Sequence, residues 1–189
     1  ETGIHDAIAR KLNEKGKLSR NAIAEGIINN VRKTIIREQL TDPRFYEQMS
    51  LLLDDLIQQN RADTAAYEEF LRKAEALVRR LAAKHPEAGI PAALHGRHEA
   101  TVIYNNLPRI LAAGAAATAI GEPGLIADAN RLELALAIDR AMREQAPAGW
   151  KGDQAREAQV LNALFPLLDR NREATLAVFD LVKHQPGYG

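Results

Sequence analysis

Apolar residues recur along most of the chain at the spacing of amphipathic helices. In the clearest stretch, 20–40, they follow one another at steps of four, one, three and four: Ile23, Ile27, Ile28, Val31 and Ile35. Such steps place side chains on one face of a helix with 3.6 residues per turn. A second helix is predicted after Asp42 as N-cap and Pro43 as first residue, with a buried face of Phe45 or Tyr46, Met49, Leu52, Leu53, Leu56 and Ile57. A third buries Tyr67, Phe70, Leu71, Ala74, Leu77, Val78 and Leu81.

The second half of the chain repeats this pattern. We expect helices over 102–111, with Pro108 able to bend the helix, and over 125–145. Asp153 should cap a helix that Pro166 kinks or ends. A final helix is predicted to carry Leu176, Val178, Phe179, Leu181 and Val182. A short helix over 4–12 and an N-cap at Ser19 precede all of these, and no run alternates β-branched residues. The fold class is therefore predicted to be all-α, a helical bundle.

The joints between the first helices are short, which favours an antiparallel three-helix unit over residues 1–85. Residues 86–96 hold two prolines and two glycines and are predicted to be a linker. A second helical unit is expected over 97–185, followed by a tail at 186–189. One continuous domain is the alternative.

Composition narrows the possible functions. Lys and Arg number 25 and Asp and Glu also number 25, so the chain has no net field that would attract nucleic acid. Cysteine is absent, which removes disulfides and thiolate chemistry and is consistent with a cytoplasmic protein. No leader and no membrane-spanning apolar run is apparent. The chain begins with Glu1 in the middle of a pattern, from which we expect it to be part of a longer protein.

Four sequence blocks, in this order, carry a resemblance to a known family. They are residues 23–32, residues 42–53, the weaker block 104–107, and residues 135–142 followed by 149–153. The chain resembles, over about residues 20 to 185, the C-terminal helical region of the restriction (R) subunit of type I restriction-modification enzymes. That resemblance implies a non-catalytic helical domain that docks the R subunit onto its methyltransferase and specificity subunits. The nuclease and ATP-driven motor domains of the family precede this region. The resemblance thus implies no catalytic residue, cofactor or metal here, although the intact enzymes depend on ATP and Mg²⁺.

Several residues in these blocks are candidates for partner contacts: Asn29, Asn30, Arg32, Tyr46, Trp150 and Lys151. Asparagine is a poor helix former. The Asn29-Asn30 pair therefore indicates either a hydrogen bond that fixes how this helix meets a neighbour or two solvated amides. Trp150, the only tryptophan, either fills a groove between helices or anchors a partner.

The basic residues of the first and third long helices also have two interpretations. As a phosphate-facing strip, Lys33, Arg37, Arg72, Arg79 and Arg80 would contact duplex DNA and make its binding depend on salt. As solvated residues, they would pair with neighbouring acids. The interleaved acids and the neutral total favour pairing, because mixed charge weakens the local field.

No motif predicts a reaction. The segment His95-Gly96-Arg97-His98-Glu99 matches neither order of the helical zinc-protease signatures. Asp54 and Asp55 are adjacent on a helix and therefore point in different directions. Phosphate-binding and dinucleotide-binding glycine loops are both missing from the sequence.

Overall fold

A computed structural model describes residues 20–62, 67–83, 90–117 and 128–189. Within these ranges the chain forms seven α-helices, two short 3-10 helices and no strand, which confirms the all-α prediction. The α-helices are α1 (Arg20–Glu38), α2 (Pro43–Ala62), α3 (Tyr67–Ala83), α4 (His98–Ala117), α5 (Asp128–Gln145), α6 (Gln154–Leu164) and α7 (Arg172–Lys183). The 3-10 helices are Ala92–Leu94 and Phe165–Leu168. The predicted helix over 4–12 and the Ser19 cap lie outside the described residues.

The chain divides into two compact units. Unit 1 comprises 1–39 and 43–88 and contains α1 to α3; unit 2 comprises 40–42 and 89–189 and contains α4 to α7. The division therefore falls inside the segment 86–96 that we predicted as a linker. Its later residues belong to unit 2, where Leu94 is buried in the core.

Unit 1 is held together by the predicted stripes. Each helix contributes one row of apolar side chains to a single core, among them Ile27, Val31, Met49, Leu53, Phe70 and Leu77. Leu52 departs from the prediction, since 38% of its surface is exposed. Met49, Leu53 and Leu56 form the centre of the apolar stripe on α2. Leu52 lies at the edge of this stripe, where burial depends on how far the neighbouring helix extends over it.

Capping and proline residues in the sequence set where helices of unit 2 begin and end. The Asp153 carboxylate accepts hydrogen bonds from the backbone N–H groups of Ala155, at 3.0 Å, and Arg156, at 3.1 Å, which confirms it as the N-cap of α6. The α-helix ends at Leu164 and a 3-10 turn containing Pro166 follows, also as predicted. Leu176 lies on α7, the predicted final helix, and 47% of its surface is exposed.

The segment 186–189, which we predicted as a tail, contributes a side chain to the core of unit 2. Gln185 and Tyr188 are both buried in unit 2, and Tyr188 belongs to its hydrophobic core. The residues after α7 are therefore part of the packed structure, because one aromatic side chain among them carries enough apolar surface to hold them there.

Candidate partner-binding surfaces

The exposed face of α1 carries five of the residues that we predicted to contact partners or nucleic acid. Asn29, Asn30 and Arg32 are all exposed, as are Lys33 and Arg37. Exposure of both amides fits the interpretation of Asn29 and Asn30 as solvated side chains. The same face includes Ile36, of which 60% is exposed.

A groove between α2 and α3 is open on the surface of unit 1. Its volume is about 280 Å³, and it is lined by Leu52, Asp55, Leu56 and Gln59 from α2 and by Lys73, Ala76, Leu77 and Arg80 from α3. We call it the α2–α3 groove. Four of the lining side chains are aliphatic, and the polar ones come from both helices. The exposure of Leu52 is explained by its position in the wall of this groove.

Lys73 ties the two helices together at the groove. Its ammonium nitrogen lies 2.6 Å from Oε1 of Gln59, across the groove, and 2.8 Å from Oε1 of Glu69 on its own helix. Hydrogen bonding and charge from Lys73 lower the pKa of the exposed Glu69, with a smaller contribution from Arg72. Lys73 is thus engaged with neighbours inside unit 1.

Two of the predicted partner residues are buried and cannot contact another protein in this structure. Tyr46 is in the core of unit 1, and its hydroxyl donates a 2.8 Å hydrogen bond to Oε2 of Glu38. Trp150 is completely buried in unit 2. Its indole N–H donates to the carbonyl oxygen of Tyr188 at 3.2 Å, and its ring centre lies 5.6 Å from that of Phe179. Trp150 therefore fills the interior, which was one of our two interpretations, and the expectation of a partner contact is withdrawn for both residues.

The turn that carries Trp150 depends on two glycines. Gly149 and Gly152 have φ angles of +65° and +85°, a region that is costly for residues with a Cβ atom. Between them, Lys151 is half-buried and donates a 2.6 Å hydrogen bond from its ammonium group to the carbonyl oxygen of Gln185. Burial lowers the pKa of Lys151. Lys151 thus holds the residues after α7, which limits its availability to a partner.

A charged cluster, which we call the Asp139 cluster, joins α4, α5 and the last residues of the sequence. Its members are Arg97, Glu99, Asp139, Arg143 and Tyr188. The Tyr188 hydroxyl donates to Oδ1 of Asp139 at 2.6 Å, and Nε of Arg143 lies 3.0 Å from the same oxygen. Arg143 also reaches Glu99 at 3.0 Å, and Arg97 lies 3.8 Å from Asp139. Burial, followed by the hydrogen bond to Asp139 and the charge of that carboxylate, raises the pKa of Tyr188. Every charge in the cluster has an opposite partner, so the arrangement is suited to holding the fold.

The cluster was not found from the sequence. Asp139 lies between Ile138 and Arg140, on a helix that was predicted from its apolar residues alone. The available signal was an acidic residue inside a stripe that includes Ala135, Ile138 and Met142. A buried carboxylate of that kind requires paired partners, but the sequence does not show which ones.

The predicted nucleic-acid residues are accompanied by acids. Arg37 pairs with Glu38 at 2.9 Å and Arg79 with Glu75 at 2.6 Å. Lys33 and Arg72 are exposed on α1 and α3, and Arg80 lies in the wall of the α2–α3 groove. The structure thus supports pairing for part of this set, and such exposed pairs reduce the local positive field.

The described residues hold no group of three or more His, Cys, Asp or Glu side chains placed to bind a metal ion. His95, Asp54 and Asp55 are exposed in the part of the chain that the structure covers. In the same ranges, no helix combines the length and apolar character needed to cross a membrane.

Comparison with known proteins identifies no relative. No protein-family model matches the chain, and neither a curated protein nor a solved structure does.

Proposed function

We propose that this chain is a non-catalytic docking domain, equivalent to the C-terminal helical region of a type I restriction R subunit. In this proposal it attaches the ATP-dependent translocase and nuclease of the parent enzyme to the methyltransferase and specificity subunits. A cytoplasmic location and the absence of a resident cofactor are part of the same proposal.

Two of the segments that carry the resemblance, 135–142 and 149–153, also build the fold of unit 2. Asp139 comes from one block and forms the centre of the Asp139 cluster. Trp150, Lys151 and Asp153 come from the next, where they fill the core, hold the residues after α7 and cap α6. Residues that secure a fold in this way support a resemblance at the level of the whole domain. They also suit a rigid scaffold that presents a surface to other subunits.

The α2–α3 groove is the observation that carries the docking proposal. Helix packing normally buries an aliphatic row of this kind, yet the groove leaves Leu52 partly exposed beside Leu56 and Leu77. Covering apolar surface contributes about 25 cal/mol per Å². An apolar groove with polar edges is typical of a protein-binding surface.

A DNA-contacting module is the second candidate. Lys33 on α1 and Arg72 on α3 are exposed and offer charge to phosphates. The pairs Arg37–Glu38 and Arg79–Glu75 count against it, because they weaken the same field.

One binding experiment separates these candidates. The purified chain is titrated calorimetrically against the methyltransferase–specificity core of its own system and, separately, against duplex DNA at 50 and 200 mM salt, concentrations over which phosphate contacts lose affinity by orders of magnitude. Binding to the core with little dependence on salt supports docking. Binding to DNA alone, with affinity that falls steeply at the higher salt, supports the second candidate. Failure to bind the core contradicts the docking proposal.

A further inference from the structure

We propose that the α2–α3 groove receives an amphipathic helix of the partner, whose aliphatic stripe enters the groove between an acidic flank and a basic flank. The acidic flank faces Arg80 and the basic flank faces Asp55. This inference rests on the docking function proposed above and names the kind of surface that would dock.

The dimensions of the groove fit two turns of a helix. Its lining runs from Leu52 to Gln59 on α2 and from Lys73 to Arg80 on α3. Seven residues of helix rise about 10 Å. A ligand helix that uses residues i, i+3 or i+4, and i+7 covers the same length, and this is the usual pattern of helix-in-groove recognition.

The base of the groove supplies the apolar contact. Leu56 and Leu77 are buried in the core of unit 1 and form the floor of the groove, and the exposed Ala76 is small enough to admit a neighbouring side chain. Leu52 forms part of the wall, with 38% of its surface still accessible. An inserted leucine or isoleucine would therefore join an existing core.

Two opposite charges, one on each side of the groove, would fix the orientation of a bound helix. Asp55 lines it from α2 and Arg80 from α3. Neither has an ion-pair partner among the side chains that the structure describes. Lys73 differs, because Gln59 and Glu69 already engage it. A partner helix with a base toward α2 and an acid toward α3 would complement both charges, whereas the reversed orientation would place like charges together.

The same features disfavour other occupants. A two-fold symmetric dimer places a surface patch against its own copy, and a concave groove does not fill another concave groove. A phosphate backbone would complement Arg80 but not Asp55, which lines the groove from the other helix. A partner helix is the occupant that fits both the shape and the charges.

The test uses the methyltransferase–specificity core as the probe and calorimetric affinity as the readout. Leu52→Glu is compared with Leu51→Glu, since Leu51 is the more exposed neighbour and does not line the groove. We expect Leu52→Glu to weaken binding at least tenfold and Leu51→Glu to change it less than threefold. Helical content and the thermal unfolding of unit 1 by circular dichroism, unchanged in both variants, establish that folding is intact.

Charge reversal tests the direction of the groove. Asp55→Arg and Arg80→Asp should each weaken binding about tenfold, and the double variant about a hundredfold, if the two sites act independently. The double variant keeps the net charge of the chain, so a general charge effect predicts no loss for it. Asp54→Arg is the matched control, because it changes the same charge outside the groove.

Each outcome is decisive. If the wild-type chain binds the core and all groove variants bind equally well, the groove inference is wrong and the docking function stands. If the wild-type chain does not bind the core, the docking function itself fails. A dimer of the chain that Leu52→Glu dissociates, measured by light scattering, would replace the partner helix with a second copy.

Discussion

The two units solve the problem of stability with different chemistry. All six polar or charged side chains that are buried in the described residues belong to unit 2, namely Asp42, Thr101, Asn106, Asp139, Thr175 and Gln185. The described core of unit 1 is made of apolar side chains and the ring of Tyr46. Some of these side chains pair with one another, as Asn106 does with Asp42, and others, such as Gln185, satisfy backbone groups.

Unit 1 is described as three helices, and a helix satisfies most of its own N–H and C=O groups. Unit 2 also contains packed segments outside helices, whose backbone groups need other partners. Side chains supply them: Trp150 donates to the carbonyl of Tyr188, Lys151 to that of Gln185, and Gln185 to that of Thr41 at 2.7 Å. Buried polar side chains in unit 2 thus accompany packed segments outside helices. We expect substitutions that remove these side chains to lower the free energy of unfolding.

The largest effect is expected from Trp150→Ala. Deleting a fully buried aromatic side chain costs about 3–5 kcal/mol of unfolding free energy, and here the carbonyl of Tyr188 also loses its donor. Urea unfolding followed by circular dichroism measures the loss, because this variant has no tryptophan signal. Leu176→Ala is the control on an exposed site and should change stability by less than about 0.5 kcal/mol. Equal effects of the two would refute the role of Trp150 as a core residue.

Tyr188→Phe removes one hydroxyl from the Asp139 cluster. A hydrogen bond to a charged group contributes about 1.5–3 kcal/mol, and we expect a loss of that size at pH 7, measured by urea unfolding with Trp150 fluorescence.

The same variant has a pH signature. The pKa of Tyr188 is raised in the folded protein, so its contribution is fully present below the unfolded pKa of about 10 and is lost as pH rises above it. The stability difference between wild type and Tyr188→Phe should therefore shrink above pH 10, by up to about 1.4 kcal/mol per pH unit. A difference that stays constant from pH 8 to 11 would contradict burial of this hydroxyl.

Gly187→Ala tests how closely the residues after α7 approach α4. A Cβ at Gly187 would overlap the carboxylate of Glu99, which Arg143 holds in place. Overpacking of this kind costs about 1–3 kcal/mol, and the flexible Glu99 side chain places the expected loss near the lower end. Gly189→Ala is the control, since its added atom meets only the Pro186 oxygen at 3.8 Å. In the double variant with Glu99→Ala, the two losses should be less than additive, as measured by thermal unfolding.

The smallest effect is local to α6. Asp153→Ala removes an N-cap and should cost about 1 kcal/mol. Gln154→Ala, at the exposed next position, controls for a general effect of alanine. Native-state hydrogen exchange of the first turn of α6 measures the change directly. Unaltered exchange there would show that water replaces the cap at no cost.

The sequence predicted the helices and their core stripes well because both depend on local spacing. Val31, Met49 and Leu77 are buried where the periodicity put them. Leu52, at the edge of its stripe, was predicted wrongly, because local periodicity does not show how far a neighbouring helix extends. The candidate surface was less predictable still. The α1 residues proved exposed, but Tyr46 and Trp150 did not, since an aromatic side chain serves an interior and an interface equally well.

By itself, the sequence determined the all-α class, the Asp153 cap and the break at Pro166, since each is set by residues within a few positions of one another. The tertiary structure alone decided that Trp150 and Tyr188 are interior, that Asp139 is buried among partners, and that an apolar groove stays open between α2 and α3. The physical reason is distance along the chain: hydrogen bonds such as those from Trp150 to Tyr188 and from Tyr188 to Asp139 join residues 38 and 49 positions apart. No local pattern specifies such a pair, and only the packing of the helices brings it together.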